Sequence, residues 1–199
     1  MSISPKTIGV VVLSLGIAGF LGLMALGLLN KSPVTGRSGV TRVNKPAADF
    51  SFSQFDGGEF VLSRNIGQPV VINFWASWCP PCREEARGLE RAWQAYKEQG
   101  VVFVGVDIQD TLKDALAYLA EFDVTYPNGM DVDGTITVDY GVIGIPVTFF
   151  VNKDGIVERR WVGAISERQL IAWVEELAAG VALSEETDEE NPEEFFKFE

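Results

Sequence analysis

No histidine occurs among the 199 residues, and cysteine occurs twice. The first absence removes Ser-His-Asp and Cys-His catalysis, together with His-ligated zinc, copper and haem. The second removes any four-thiolate zinc or iron–sulfur site within one chain. Positive charge is also scarce. Lys and Arg number 16 against 28 Asp and Glu, for a formal net charge of −12. Nucleic acid is therefore not an expected partner, because phosphate-backbone binding needs clustered Lys and Arg. Neither common glycine-rich nucleotide loop nor a long internal repeat is present. What the chain does have is apolar material: 47% of its residues are aliphatic, aromatic or cysteine, enough for a sizeable core in one domain with appendages.

After a short flank, residues 1–7, residues 8–29 form a run without charge. At about 1.5 Å per helical residue it is long enough for a hydrocarbon core of about 30 Å. A cleaved signal peptide is the alternative. The run exceeds an ordinary signal core, however, and Leu28-Leu29-Asn30-Lys31-Ser32 lacks a small-x-small cleavage pattern, so a transmembrane signal-anchor is expected. Residues 30–47, rich in Gly, Ser, Pro and basic residues, read as a linker. Residues 48–180 carry the globular domain, and residues 181–199 an acidic tail expected to be disordered. Lys31, Arg37, Arg42 and Lys45 follow the apolar run, whereas only Lys6 and the amino terminus precede it. Charge bias alone would therefore place the domain in the cytoplasm.

Within 48–180, helix and strand signals alternate. Phe50, Phe52 and Phe55 lead through Asp56-Gly57-Gly58 to Phe60-Val61-Leu62, a hairpin pattern. Residues 69–75 and 101–106 are continuous apolar runs, expected as buried strands. A helix is expected over 80–99, stopped by Gly100. A second covers 111–122 and a third 166–179, opened by Thr111 with Asp114 and by Ser166 with Gln169 at capping-box spacing. Residues 146–151 and 156–162 are strands joined by Asn152-Lys153-Asp154-Gly155. The order implies an α/β fold, a central mixed sheet covered by helices.

Both cysteines lie in Trp78-Cys79-Pro80-Pro81-Cys82, where a buried strand gives way to a helix. Two cysteines three residues apart in such a turn reach disulfide distance. With Cys79 as N-cap, Pro80 and Pro81 fill the first helical positions, where a missing N–H costs little. The free amides and the helix dipole favour a thiolate on Cys79. Cys79 is thus expected as the exposed attacking sulfur and Cys82 as the buried resolving one. Structural cysteines or an intermolecular metal site are the alternatives. A covalent haem site is excluded because Arg83, not His, follows Cys82.

The stretch Asn73-Phe74-Trp75-Ala76-Ser77-Trp78-Cys79-Pro80-Pro81-Cys82-Arg83-Glu84-Glu85 resembles the thioredoxin superfamily, specifically its membrane-anchored TlpA, ResA and CcmG-like branch with redoxin or AhpC-TSA-like domains. Gly141-Val142-Ile143-Gly144-Ile145-Pro146-Val147-Thr148-Phe149-Phe150 resembles that branch's second motif. The resemblance implies a thioredoxin-like fold with an N-terminal β-hairpin extension and an N-terminal transmembrane helix. It implies that Pro146 is a cis-proline facing the disulfide, and that Ile145 offers backbone groups to a partner strand. On residues alone, an ordinary trans proline opening a strand is the favoured reading, because cis is only about 5–6% of X-Pro bonds. Asp110 falls where the branch has an acid after the next strand, a candidate proton relay for Cys82; it is equally an acid leading the helix at Thr111. Asn73 stands where thioredoxin proper has a buried Asp. Arg87 and Gly88 stand where the family has a helix-kinking proline and its successor, which puts the helix geometry in doubt. Glu84 and Glu85 are expected to be solvated, and Trp78 to form part of an apolar docking rim.

The resemblance further implies a thiol-disulfide oxidoreductase that needs no cofactor beyond a Cys79–Cys82 disulfide. Expected partners are protein thiols and disulfides, apocytochrome c among them, and a membrane thiol reductant such as a CcdA- or DsbD-like carrier. A copper-site assembly module and a non-catalytic redox sensor are the alternatives. The implied location is the extracytoplasmic face of the cell membrane, where disulfides are available. This conflicts with the charge bias.

Overall fold

The computed structural model of the protein describes residues 16–17 and 43–180. The expected anchor (apart from Gly16 and Ile17, both helical and exposed), most of the linker and the acidic tail lie outside the described residues. Among the described residues, no helix is long and apolar enough to cross a membrane. The chain divides into two units, residues 1–38 and 39–199.

The second unit is built from β1 (Ser51–Ser53), β2 (Glu59–Val61), β3 (Val70–Trp75), α1 (Pro80–Tyr96), β4 (Val102–Asp107), α2 (Leu112–Phe122), β5 (Asn128–Met130), α3 (Thr135–Asp139), β6 (Val147–Val151), β7 (Val157–Val162) and α4 (Glu167–Ala179). The main sheet has the order β5-β4-β3-β6-β7. Strands β3, β4 and β5 are parallel, while β6 runs antiparallel to β3 and to β7. This is the thioredoxin-like arrangement, a mixed sheet flanked by helices. Strands β1 and β2 pair antiparallel around Asp56-Gly57-Gly58, where Gly57 adopts φ 91°.

The central strand shows why its sequence is apolar throughout. All six residues of β3 are buried, as a strand covered on both faces requires. Val70, Ile72 and Phe74 pack with Phe50, Phe52, Phe60 and Tyr140 on one face. Val71 and Trp75 pack on the other, against side chains from α1, α2 and α4. The expected caps are present: Thr111 Oγ1 accepts from the Asp114 amide and Ser166 Oγ from the Gln169 amide. Gly180 ends α4 at φ 63°. Helix α1 stops at Tyr96 rather than Gln99, because residues 97–99 tighten into a 3-10 turn before Gly100 at φ 83°. It runs unbroken through Arg87 and Gly88, resolving the doubt raised by the missing proline.

Two elements have no counterpart among the expected ones, β5 and α3. Residues assigned to the end of the linker also belong to the folded unit. Asn44 N–H donates to Val157 O, Val157 N–H to Lys45 O, and Ala47 N–H to Gly155 O, so the chain is fastened to β7 before residue 48.

Candidate active site

Strand β3 ends at Trp75, and Ala76-Ser77-Trp78 turns the chain into α1. The Cys79 amide donates to Ala76 O at 3.2 Å, closing the turn. Cys79 is the N-cap in extended conformation, Pro80 and Pro81 occupy the first two helical positions, and Cys82 N–H points at Cys79 Sγ at 3.3 Å. Because the prolines supply no amide, Cys82 provides the nearby donor. The two cysteines form a disulfide with Cα atoms 5.3 Å apart.

Burial changes one expectation. Cys79 is only 2% exposed and Cys82 fully buried, so in the disulfide form Cys79 is not an open sulfur. The loop before β6 covers it: the Ile145–Pro146 peptide is cis, and Ile145 O lies 3.7 Å from Cys79 Sγ. Exposed apolar side chains adjoin this region on two segments. Trp78 adjoins Cys79 with 56% exposure, and Ile143 lies two residues before Ile145 and is wholly exposed. Trp78 is oriented by its indole N–H, which donates to Gln109 O at 3.0 Å.

Asp110 accepts hydrogen bonds from Ser77 N (2.6 Å), Ser77 Oγ (2.9 Å) and Thr111 N (2.8 Å). It thus leads α2 and also fastens the loop two residues before Cys79. Both jobs act on backbone placement.

Glu85 departs from its expected place in solvent. It is 4% exposed. Its Oε1 accepts from Asn73 Nδ2 and its Oε2 from Ile165 N, both at 2.8 Å. Burial pushes its carboxyl up from 4.5 to about 7, against the opposing effect of those two hydrogen bonds. Asn73 also donates to Thr148 Oγ1, so the position that holds an acid in thioredoxin proper here orients an acid from the facing helix. A signal was available in the sequence. Cys82, Glu85, Ala86, Leu89, Ala92 and Tyr96 recur at helical spacing, and all are buried. Glu85 sits on that stripe, one turn beyond Cys82.

A second missed acid is Asp107, the last residue of β4, which is fully buried. Burial, then the neighbouring Asp110 charge, pushes its carboxyl from 3.8 to about 8. Above both sits Tyr118 of α2, stacked on Trp75 with ring centroids 4.2 Å apart and donating its hydroxyl to Cys82 O at 3.0 Å. Burial holds the Tyr118 hydroxyl well above its ordinary value. Among the described residues, no group of three or more Cys, Asp or Glu could hold a metal ion.

Comparison with known proteins gives a consistent picture. Residues 43–160 match the model of the AhpC/TSA family. The chain is 38% identical over 143 residues to the thiol:disulfide interchange protein DsbE of Allochromatium vinosum, covering 70% of this chain and 76% of that protein. It is 30% identical over 135 residues to the thiol-disulfide oxidoreductase ResA of Bacillus thuringiensis, covering 68% and 78%. Among solved structures it is similar to a thioredoxin-family thiol:disulfide interchange protein of Chlorobium tepidum. There the TM-score is 0.64 at 27% identity, with 69% of this chain and 98% of the other covered.

Proposed function

This chain belongs to the AhpC/TSA family, and from that premise we propose that it is a membrane-anchored protein-disulfide reductase. The observation that carries the reading is the Cys79–Cys82 disulfide at the amino end of α1, with Ile145 O against Cys79 Sγ. The similarity to the DsbE and ResA proteins supports the same reaction class.

In the reaction, the dithiol form presents Cys79 as thiolate, favoured by the helix dipole and the Cys82 amide. Cys79 Sγ attacks one sulfur of a substrate disulfide. A Cys79–substrate bond forms, the substrate disulfide breaks, and the departing substrate thiolate takes up a proton. Cys82 then loses its thiol proton and attacks Cys79 Sγ. The Cys79–Cys82 bond forms as the mixed disulfide breaks, releasing the second substrate thiolate. Two electrons have passed to the substrate. Glu85, one turn from Cys82 and pushed up to about 7, is suited to hold a proton near neutral pH.

The substrates we infer are exported proteins, apocytochrome c thiols before haem attachment among them. A membrane thiol carrier of the CcdA or DsbD kind would restore the dithiol. Residues 8–29 would anchor the domain on the extracytoplasmic face, where disulfides form. Two experiments test this. Cys79→Ser should abolish insulin reduction, and Cys82→Ser should accumulate a mixed disulfide; activity retained by Cys79→Ser would refute the chemistry. In intact cells, an impermeant thiol reagent should label Cys79 of the reduced protein, and protection until lysis would refute the location.

A further inference from the structure

We propose that Gln109 is a positioning residue for Trp78: its left-handed backbone holds the indole beside Cys79 as a fixed apolar surface that receives a polypeptide substrate in preference to a small disulfide. The proposal rests on the thiol-exchange reading above and adds a basis for the choice of substrate.

The geometry is built from three consecutive residues after β4. Ile108 N–H donates to Trp75 O at 3.0 Å, extending the alignment of β4 with β3. Asp110 reaches back to the same loop and accepts from Ser77 N at 2.6 Å and from Ser77 Oγ at 2.9 Å. Gln109 stands between them at φ 51°, and its carbonyl oxygen accepts from Trp78 Nε1 at 3.0 Å. In the left-handed region Cβ crowds the following carbonyl, so Gly, Asn and Asp are its usual occupants. Among the described residues, Asn44 and Asp123 are the other non-glycine residues there. Asn tolerates the region, and Asp123 is the C-cap of α2, where left-handed backbone ends a helix. Gln109 has neither reason. It is exposed, so packing of its side chain does not impose the conformation. The bonds of Ile108 and Asp110 on either side hold the backbone in place, and the conformation delivers a carbonyl to Trp78. Strain of this kind persists where the surrounding structure fixes it, and it gathers at functional sites.

Burial shows why a held indole matters. Cys79 is 2% exposed, so a substrate sulfur reaches it past its neighbours. Trp78 is 56% exposed, and Ile143 is wholly exposed two residues before Ile145, whose carbonyl oxygen lies 3.7 Å from Cys79 Sγ. A large exposed side chain ordinarily samples several rotamers, and ordering it on binding opposes association. The bond to Gln109 orders Trp78 in advance. Its N–H is satisfied and its apolar ring stays open, the combination that makes tryptophan effective at interfaces. The chain flanking a protein disulfide can cover that ring. Hydroxyethyl disulfide has no such chain.

The test uses the full chain in detergent micelles and two readouts. The first is motion of the oxidised protein. The nitrogen order parameter of the Trp78 indole N–H, identified by its loss in Trp78→Phe, should be about 0.85 in wild type and below about 0.6 in Gln109→Val, because a β-branched residue leaves the left-handed region. Gln109→Asn, which tolerates that region, should keep the wild-type value. The second readout is the ratio of two rate constants of the reduced protein, for insulin and for hydroxyethyl disulfide. It should fall about five-fold in Gln109→Val, the scale set by ordering one side chain on binding. It should fall alike in Trp78→Phe, which removes the N–H and leaves Gln109 untouched, and match wild type in Gln109→Asn. A role confined to loop placement would slow both disulfides together and leave the ratio unmoved. An unmoved ratio in either Gln109→Val or Trp78→Phe therefore overturns the proposal, as does a wild-type order parameter in Gln109→Val. Wild type inactive toward both disulfides would refute the exchange reading and the substrate role with it, while the order parameter still decides whether Gln109 holds the indole.

Discussion

Replacing Glu85 with Gln should reshape the dependence of stability on pH, and the structure sets the size of the effect. In the folded protein Glu85 is pushed up from 4.5 to about 7. The folded state thus keeps a proton that the unfolded chain releases. Its contribution to stability is complete below about pH 4.5 and is lost as pH rises through about 7. The displacement corresponds to about 3 kcal/mol, nearly all of it lost between about pH 4 and pH 8. Gln does not titrate, so it removes this slope. It also has one acceptor oxygen where Glu has two, so either Asn73 or Ile165 N–H loses its partner, at a cost of about 1 kcal/mol that does not vary with pH. Urea unfolding with the disulfide intact should therefore find the variant weaker than wild type by about 1 kcal/mol near pH 4 and stronger by about 2 kcal/mol near pH 8, with the curves crossing near pH 5. Asp107 bends both curves alike and cancels in the difference. A difference that stays constant from about pH 4 to pH 8 would refute the reasoning, since it would mean that Glu85 ionises in the folded protein as it does in the unfolded chain.

Gly105→Ala should destabilise the protein on the order of 3 kcal/mol. A Cβ there would lie 1.7 Å from Asn128 Oδ1 and 2.7 Å from Trp75 Nε1, in the path of the hydrogen bond those two groups make at 2.9 Å; a variant with unchanged urea midpoint would contradict this. Tyr118→Phe removes the hydroxyl that donates to Cys82 O while keeping the stack on Trp75, and should cost about 1 kcal/mol in the same assay. A loss as large as that of Gly105→Ala would show that the ring, not the hydroxyl, had been displaced.

Features written in local chemistry were legible in the sequence. Thr111 and Ser166 cap helices because a side-chain oxygen and an amide three residues later suffice, and no distant partner is needed. The cysteine turn is local too, since the end of a buried run, a cysteine and two prolines fix the N-cap geometry together. Elements held by distant partners were not legible. Strand β5 has three residues and no apolar run, and its Asn128 is oriented by the Trp75 indole, 53 positions away. Helix α3 has five residues and follows Gly134, and its first amides are satisfied by two acids, Asp133 accepting from Thr135 N and Asp131 from Ile136 N and Thr137 N. Two carboxylates before five residues, too few for a helical apolar stripe, read as a loop until the fold closes. Burial of Cys79 likewise depends on the Ile145–Pro146 loop, 66 positions on.

Glu85, read as solvated, and Asp107, not singled out in the sequence, share one physical cause, and it bears on a site without histidine. A thiol pair releases and takes up protons as it cycles, and groups that hold a proton near neutral pH serve that exchange best. Imidazole is the side chain whose ordinary value lies there, and this chain has none. Burial brings Glu85 and Asp107 into that range instead, to about 7 and about 8. The routes differ. Glu85 keeps two hydrogen bonds that favour its anion, so its ionised form stays accessible, and it lies one turn from Cys82 on the same helix. Asp107 is raised by burial first and by the Asp110 charge second, with the Ile108 backbone opposing. One carboxyl is thus raised by burial against two hydrogen bonds, the other by burial and a second acid together, and the difference follows from which groups the fold leaves beside each.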